Sequence, residues 1–542
     1  MPDLIVTDAL ILDGTGAPGR YGDVLVDGDR IVEIAPPGSG RGARRRIAAE
    51  GRAVAPGFID LHAHSDLAIL ADPDHLAKVS QGVTCEVLGQ DGLSYAPVDE
   101  ASLAVLRQQL AGWNGEPELP FGWATVADYL DVLDRGIPCH AAYLVPQGTV
   151  RLLVMGPEDR PGTAAEIAQM AAVVRQGLTD GAVGMSSGLT YPPSMYADDD
   201  ELVALCRVVA EFGGFYAPHH RSYGRGALAA YAEMIEVARR ASCGLHLTHA
   251  TLNFAENSGR APELLAMIDQ GLDDAVDITL DTYPYLPGST SLVALLPRWA
   301  TAGGPPLIMQ RLADPGERAR IAEALEVTGS EGCHGCTVDW STIEISGVGE
   351  PALADAVGQT IAVLAEQQGR AASDVFAELL LRDRLATTIL QHVGNEENVQ
   401  AIMQHRVHCA GSDAILVAEK PHPGAWGTFP RYLGHYVREL GLLGLAECVH
   451  HLTGRPAARL KLVDRGLVRA GAHADLVIFD PDEVRDTATF DNPRQQAQGI
   501  DWVLVNGTLV IADGLRTDAL PGRALRRTDS GTRAQPRSHP AP

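Results

Sequence analysis

The chain has 542 residues, 46% of them hydrophobic and 21% charged, which is too long for one ordinary domain and apolar enough to bury a large core. A net charge of −26 excludes binding to nucleic acid or anionic membranes through bulk electrostatics. The opening residues carry no signal-peptide pattern, no run of 18 apolar residues occurs, and eight scattered cysteines do not make a secreted disulfide framework, so the expectation is a cytoplasmic protein without membrane contact.

The first predicted elements are short alternating strands broken by Asp-Gly turns, in "DLIVTDALILDG" and "GDVLVDGDRIVEIAP". The same texture returns in "ADLVIFDPDEV" and "IDWVLVNGTLVIADG". Residues 1–53 and 465–520 are therefore predicted to meet in one small β-domain. Between them, residues 54–464 alternate apolar strands with helical stretches. "HAAYLVPQG", "GAVGMSSGLTY", "GGFYAPHH", "GLHLTHA", "ITLDTYPY" and "VHCAGSDA" read as strands. "DELVALCRVVAEFG" and "LAAYAEMIEVARRA" read as helices, with apolar residues three and four apart. Repeated βα units over this length predict an α/β fold, a (β/α)₈ TIM-like barrel. The irregular stretch 295–345 reads as an insertion holding Cys333-x-x-Cys336, which has no second pair at zinc-ribbon spacing. The tail, 521–542, runs into "RRTDSGTRAQPRSHPAP" and is predicted to be disordered.

Barrel chemistry collects at the C-terminal ends of strands. The strand "VAPGFID" is followed by "LHAHSD", whose His62 and His64 are two apart and face one point. The second strand runs into "GQDG" and supplies Asp91; later strand ends supply His219 or His220, His249 and Asp413. Imidazoles and carboxylates at successive strand ends suit Zn²⁺ or another divalent ion. His246 lies three before His249 and reads as packing on the opposite face, and parity allows only one of His219 and His220 to point inward. Asp413 reads as a carboxylate able to ligate the ion and to carry a proton.

These residues in this order resemble the amidohydrolase superfamily, and within it the D-aminoacylase (N-acyl-D-amino-acid deacylase) family. The stretches that carry the resemblance are "APGFIDLHAHSD", "GAVGMSSGLTYPPSMYA", "YAPHHR", "DTYPYLPGSTSL", "GSD" and "HPGAWGTFPRYLG", spread over nearly the whole chain. The resemblance implies that the terminal β-segments form a sandwich beside the barrel. It implies metal ligation by His62, His64, Asp91, His219, His249 and Asp413, with catalysis by Asp413. "HHR" aligns through Arg221, which selects His219. It also implies one or two Zn²⁺ ions and substrate contacts from Tyr191, Arg221, Tyr283, Tyr285 and Ser289. The implied reaction is hydrolysis of a small-molecule amide, an N-acyl-D-amino acid or a relative of one, by a metal-activated water. Homo-oligomers are compatible with it.

Three positions depart from the family pattern. Asp91 stands where the family has a ligating cysteine in "GNCG". "HATLNF" lacks the basic residue that follows the strand-six histidine, and Gly424 replaces the arginine of "HPR". Both anchors for a substrate carboxylate are thus absent. Either Arg221, Arg225 or Arg431 takes over, or the substrate has no carboxylate there; the second reading is slightly preferred. The rivals are a carboxylate-bridged cyclic amide hydrolase, a deaminase, and an inactive barrel scaffold. A site built on carbamylated lysine is closed, because no lysine lies between Lys78 and Lys420. A scaffold predicts a broken ligand set, whereas this one is intact.

Overall fold

A computed structural model describes residues 1–39 and 42–528. The chain opens with strands Leu4–Ile11 (β1), Arg20–Asp27 (β2), Arg30–Ala35 (β3), Arg45–Ala48 (β4) and Ala53–Pro56 (β5). Gly28, at φ +57°, turns β2 into β3, as the Asp-Gly pair predicts.

Eight parallel strands then form the barrel: Phe58–Asp60 (β6), Val83–Leu88 (β7), His140–Pro146 (β8), Gly184–Gly188 (β9), Phe215–His219 (β10), Gly244–Leu247 (β11), Ile278–Thr282 (β12) and, after the insertion, His408–Ala410. The amide of Leu61 donates to Ala410 O at 3.4 Å and that of Asp413 to His62 O at 2.9 Å, so the last strand closes on the first. Helices flank the strands. Ala164–Thr179 is capped by Thr163 with a reciprocal bond from Glu166, and Asp199–Glu211 is capped by Asp198. Their apolar faces pack on Val145, Met185 and Tyr216.

The insertion carries strands Gly288–Ser291 (β13), Ile343–Gly347 (β14) and Thr388–Gln391 (β15), paired antiparallel in the order β13-β15-β14. It has its own core of Leu292, Leu312, Ile343, Phe376 and Ile389. It therefore extends well beyond the predicted 295–345. Its helices Ile361–Gln368 and Ala372–Arg382 have the same apolar spacing as barrel helices, and spacing alone cannot assign them to a separate body.

His408–Ala410 is β16. Strands Leu476–Phe479 (β17), Ile500–Val505 (β18), Thr508–Ala512 (β19) and Leu515–Arg516 (β20) return to the N-terminal strands; β17 pairs with β5, making one nine-stranded sheet from both ends of the chain. Val6, Val26, Val54, Ile478 and Leu504 share its core. The disorder expected from 521 onward does not begin there. Gly522 N donates to Ile137 O and Leu525 N to Ala141 O, both at 2.8 Å, and buried Leu525 packs with Ile59, Val87 and Leu144 of the barrel. Arg526 is neutralised by Asp131 and Asp134. Residues 529–542 lie outside the described residues. Among the described residues no helix is long and apolar enough to cross a membrane.

Candidate metal centre

The donors converge where the barrel strands end. Just beyond β6, His62 Nε2 and His64 Nε2 lie 3.3 Å apart. Beyond β16, Asp413 Oδ1 stands 3.2 Å from His64 Nε2 and 3.4 Å from His62 Nε2. Beyond β7, Asp91 Oδ1 lies 3.5 Å from His62 Nε2 and Asp91 Oδ2 lies 3.7 Å from His64 Nε2. On the other side of Asp91, its Oδ2 is 3.3 Å from His219 Nδ1 and its Oδ1 is 3.5 Å from His249 Nε2. Two donor sets result, His62, His64, Asp91 and Asp413 in one and Asp91, His219 and His249 in the other, each within 4.8 Å. Asp91 belongs to both. His220 points elsewhere, stacked on Tyr223 at 4.0 Å.

The backbone bends sharply to bring them there. Asp91, His249 and Asp413 have φ of +53°, +33° and +49°. Such left-handed conformations cost on the order of 1 kcal/mol or more for a residue with a Cβ and persist only where the surroundings impose them. Gly188 is one such surrounding, since a Cβ there would collide with the Asp91 carbonyl oxygen.

A buried layer fixes the donors from behind. Asp281 Oδ1 accepts from His249 N at 2.8 Å, and its Oδ2 lies 2.9 Å from His246 Nε2 and 3.8 Å from His62 Nδ1. His246 is thus more than packing. It faces Phe215 and Asp281 beneath the cluster, because strand alternation stops at Leu247 and the three-residue parity to His249 fails. Asp60 accepts from Ser412 N at 2.9 Å, Ser412 Oγ at 2.6 Å and Lys78 Nζ at 2.7 Å. Burial favours the neutral amine of Lys78, but Asp60 and Glu86 raise its pKa above the usual value. Thr190 Oγ1 sits 2.7 Å from His219 Nε2.

The cluster is short of positive charge. Burial pulls His62 down, yet Asp413, Asp91 and Asp281 raise it to about 10. Burial would lift Asp91, but His219, His62 and His249 hold it well below the carboxylate range. Asp413 shows the same contest and the same direction, with His62 the strongest opponent of burial. The buried Asp91 Oδ1 and His62 Nδ1 have no hydrogen-bond partner. Carboxylates and imidazoles gathered this closely, with unpaired buried atoms, suit a divalent ion bound by nitrogen and oxygen.

The donors open onto a cavity lined by Trp113, Tyr191, Tyr223, Asn253, Tyr283, Ser289, His334 and Gln391, among others. A second, largely apolar cavity adjoins it across Trp113 and Tyr191, lined by Leu93, Leu110, Leu152, Val293 and Ile308.

The amidohydrolase family model matches residues 45–511. A D-aminoacylase of Alcaligenes xylosoxydans xylosoxydans is 34% identical over 528 residues, covering 97% of this chain and 98% of its own. The chain belongs to the D-aminoacylase family of amidohydrolases. It is a hydrolase of C–N bonds other than peptide bonds. A solved D-aminoacylase, described for its binuclear metal centre, superposes with a TM-score of 0.82 at 35% identity, covering 97% of this chain and 100% of the other. An N-acyl-D-glutamate deacylase from Bordetella bronchiseptica, complexed with zinc and a phosphonate inhibitor, superposes with a TM-score of 0.81 at 34% identity, with 97% and 99% covered.

Two expected substrate contacts of this amidohydrolase lie elsewhere. Arg221 does not line the cavity; its guanidinium donates to Glu233 Oε1 and Ala197 O at 2.7 Å and to Met195 O at 3.3 Å. Tyr285 bonds Asp486 at 3.2 Å, lies under Arg431 and meets the His422 ring edge-on at 4.9 Å. Arg431 donates to Pro284 O and Asp486, and Arg225 faces Glu256 at 3.4 Å. Tyr191, Tyr283 and Ser289 do line the cavity. Sequence reasoning passed over Trp113, Asn253, Gln391 and His334. His334 sits between the two cysteines of "GCHGC", where Cys336 Sγ lies 3.4 Å from Glu256 and Cys333 packs under Leu295. Its signal was an isolated histidine in an insertion.

Proposed function

We propose that this amidohydrolase cleaves the C–N amide bond of an N-acyl-D-amino acid or a close amide relative, with zinc as its ion, one or two per chain. His62, His64, Asp91 and Asp413 would hold one ion, and His219, His249 and the shared Asp91 the other. Bound zinc supplies Lewis acidity that lowers the pKa of water from 15.7 toward ~7 and polarises the substrate carbonyl. Asp413 then takes the proton of the attacking water at Oδ1 and delivers it to the leaving nitrogen. His62 and the His64 hydrogen bond keep that carboxylate ionised and ready to accept. Tyr191 and Tyr283 line the cavity that would receive the reacting carbonyl, and the adjoining apolar cavity suits a hydrocarbon part of the substrate.

The observation that carries the proposal is Asp413 Oδ1 lying 3.2 and 3.4 Å from both first-strand imidazoles, at the edge of the cavity. The D-aminoacylase and the N-acyl-D-glutamate deacylase supply the substrate class by kinship. The test is a hydrolysis screen of N-acyl-D- and N-acyl-L-amino compounds with the zinc-loaded and chelated protein. Cleavage of D-compounds that chelation abolishes and zinc restores is the expected outcome. Cleavage indifferent to chelation, or confined to L-compounds, contradicts the proposal.

A further inference from the structure

The cavity in front of the donors is polar without being cationic. Among the described residues lining it there is no lysine or arginine, and its carboxylates are Asp91 and Asp413. The arginines that stood as replacement anchors are spent elsewhere: Arg221 on Glu233 and two carbonyls, Arg431 on Asp486 and Pro284, Arg225 on Glu256.

What the cavity offers instead are uncharged hydrogen-bonding groups. The Thr251 hydroxyl donates to Asn253 Oδ1 at 2.8 Å, which fixes that amide and leaves Asn253 Nδ2 as a donor facing the cavity. Gln391 ends β15 on the cavity wall at 8% exposure, and neither end of its amide has a partner among the described residues. The hydroxyls of Ser289 and Tyr283, which line the same wall, also have no partner among the described residues. Among the described lining residues from the insertion, the ionisable one is His334, whose Nδ1 is unpaired and whose ring packs edge-on against Tyr223 and Phe254.

We infer that this cavity binds a substrate whose group facing Asn253, Ser289 and Gln391 is neutral and both donates and accepts, a carboxamide or ring imide rather than a free carboxylate. The inference rests on the proposed amide hydrolysis and names the substrate class for it. A primary carboxamide gives an oxygen to Asn253 Nδ2 and an N–H to the Gln391 oxygen. A carboxylate would find only neutral donors on this wall and no lysine or arginine among the described lining residues to offset its charge, whereas the carboxamide needs none.

The experiment compares N-acetyl-D-leucine, its methyl ester and its primary amide on the zinc-loaded full-length enzyme, reading acetate release as kcat/KM. The amide is expected to exceed the acid by roughly 10- to 100-fold, with the ester between them. Gln391→Arg, which adds a cation at the wall, is expected to shift the amide-to-acid ratio toward the acid by about tenfold or more. An acid cleaved as fast as its amide overturns the inference. Kd values for the same acid and amide are measured by calorimetry with the zinc-loaded protein carrying Asp413→Asn. Tighter binding of the amide there, together with no turnover of any member by the unaltered enzyme, supports the neutral subsite and overturns only the proposed reaction. Equal or tighter binding of the acid overturns the inference.

Discussion

In the proposed reaction Asp413 would do two things from one position, ligate and carry a proton, and its surroundings favour both. It follows the last barrel strand at φ +49°, its amide is tied to His62 O, and its side chain stands within 3.4 Å of two imidazoles. Asp413→Asn keeps size and ligating oxygen but loses the proton acceptor. Turnover is expected to fall by about 10²- to 10⁴-fold, with the circular dichroism spectrum unchanged and metal retained; turnover near that of the unaltered protein contradicts the shuttle. Donors of this kind stand out in a sequence because a histidine or aspartate just past an apolar strand has few structural reasons to be there. Asp281 is equally important to the geometry and does not stand out. It lies inside β12, where a buried carboxylate is visible only once His246 and His249 are seen to meet it. Arg221 errs the other way: its place beside His219 suggests the cavity, but Glu233 on the helix Ala227–Ala241 captures it.

At the scale of elements, the first and last barrel strands are held together by charge as well as by backbone pairing. Lys78, fully buried in the short helix Leu76–Val79, reaches Asp60 at the end of β6, Glu86 in β7 at 3.3 Å and Ser412 beside Asp413 at 2.9 Å. Glu86 in turn accepts from Ser65 at 2.7 Å and lies 2.6 Å from His75 Nε2. Removing one partner of a buried charge set leaves the rest uncompensated. Lys78→Met is therefore expected to cost about 3–5 kcal/mol of stability in denaturant unfolding; a loss below about 1 kcal/mol would show that Asp60 and Glu86 do not depend on it. The barrel strands themselves were legible from apolar runs such as "AAYLVP" in β8, since parallel strands buried on both faces read as continuous apolar segments. The reach of the insertion was not. β15 is four residues long and pairs with strands on either side of it only through partners 41 to 48 positions apart for β14 and 97 to 103 for β13, which no local pattern records. Gln391, at the end of that strand, was hidden for the same reason.

Across the whole molecule, three bodies share the work. The terminal sheet joins both ends of the chain through β5 and β17, the barrel gathers the donors, and the insertion brings β13, β15 and His334 over them to complete the cavity. Family membership and the alternation of strands and helices point to the first two bodies from sequence alone, whereas the third depends on long-range packing. The proposed hydrolysis needs a divalent ion in at least one of the two donor sets that the four imidazoles and two acids form. Its most direct test is the metal content of the purified full-length protein, measured by mass spectrometry alongside amide hydrolysis, for the unaltered chain and for the double substitution His62→Ala, His64→Ala. At least one divalent ion per chain, diminished together with activity in the double variant, is the predicted result. A metal-free protein that hydrolyses amides at full rate would contradict it.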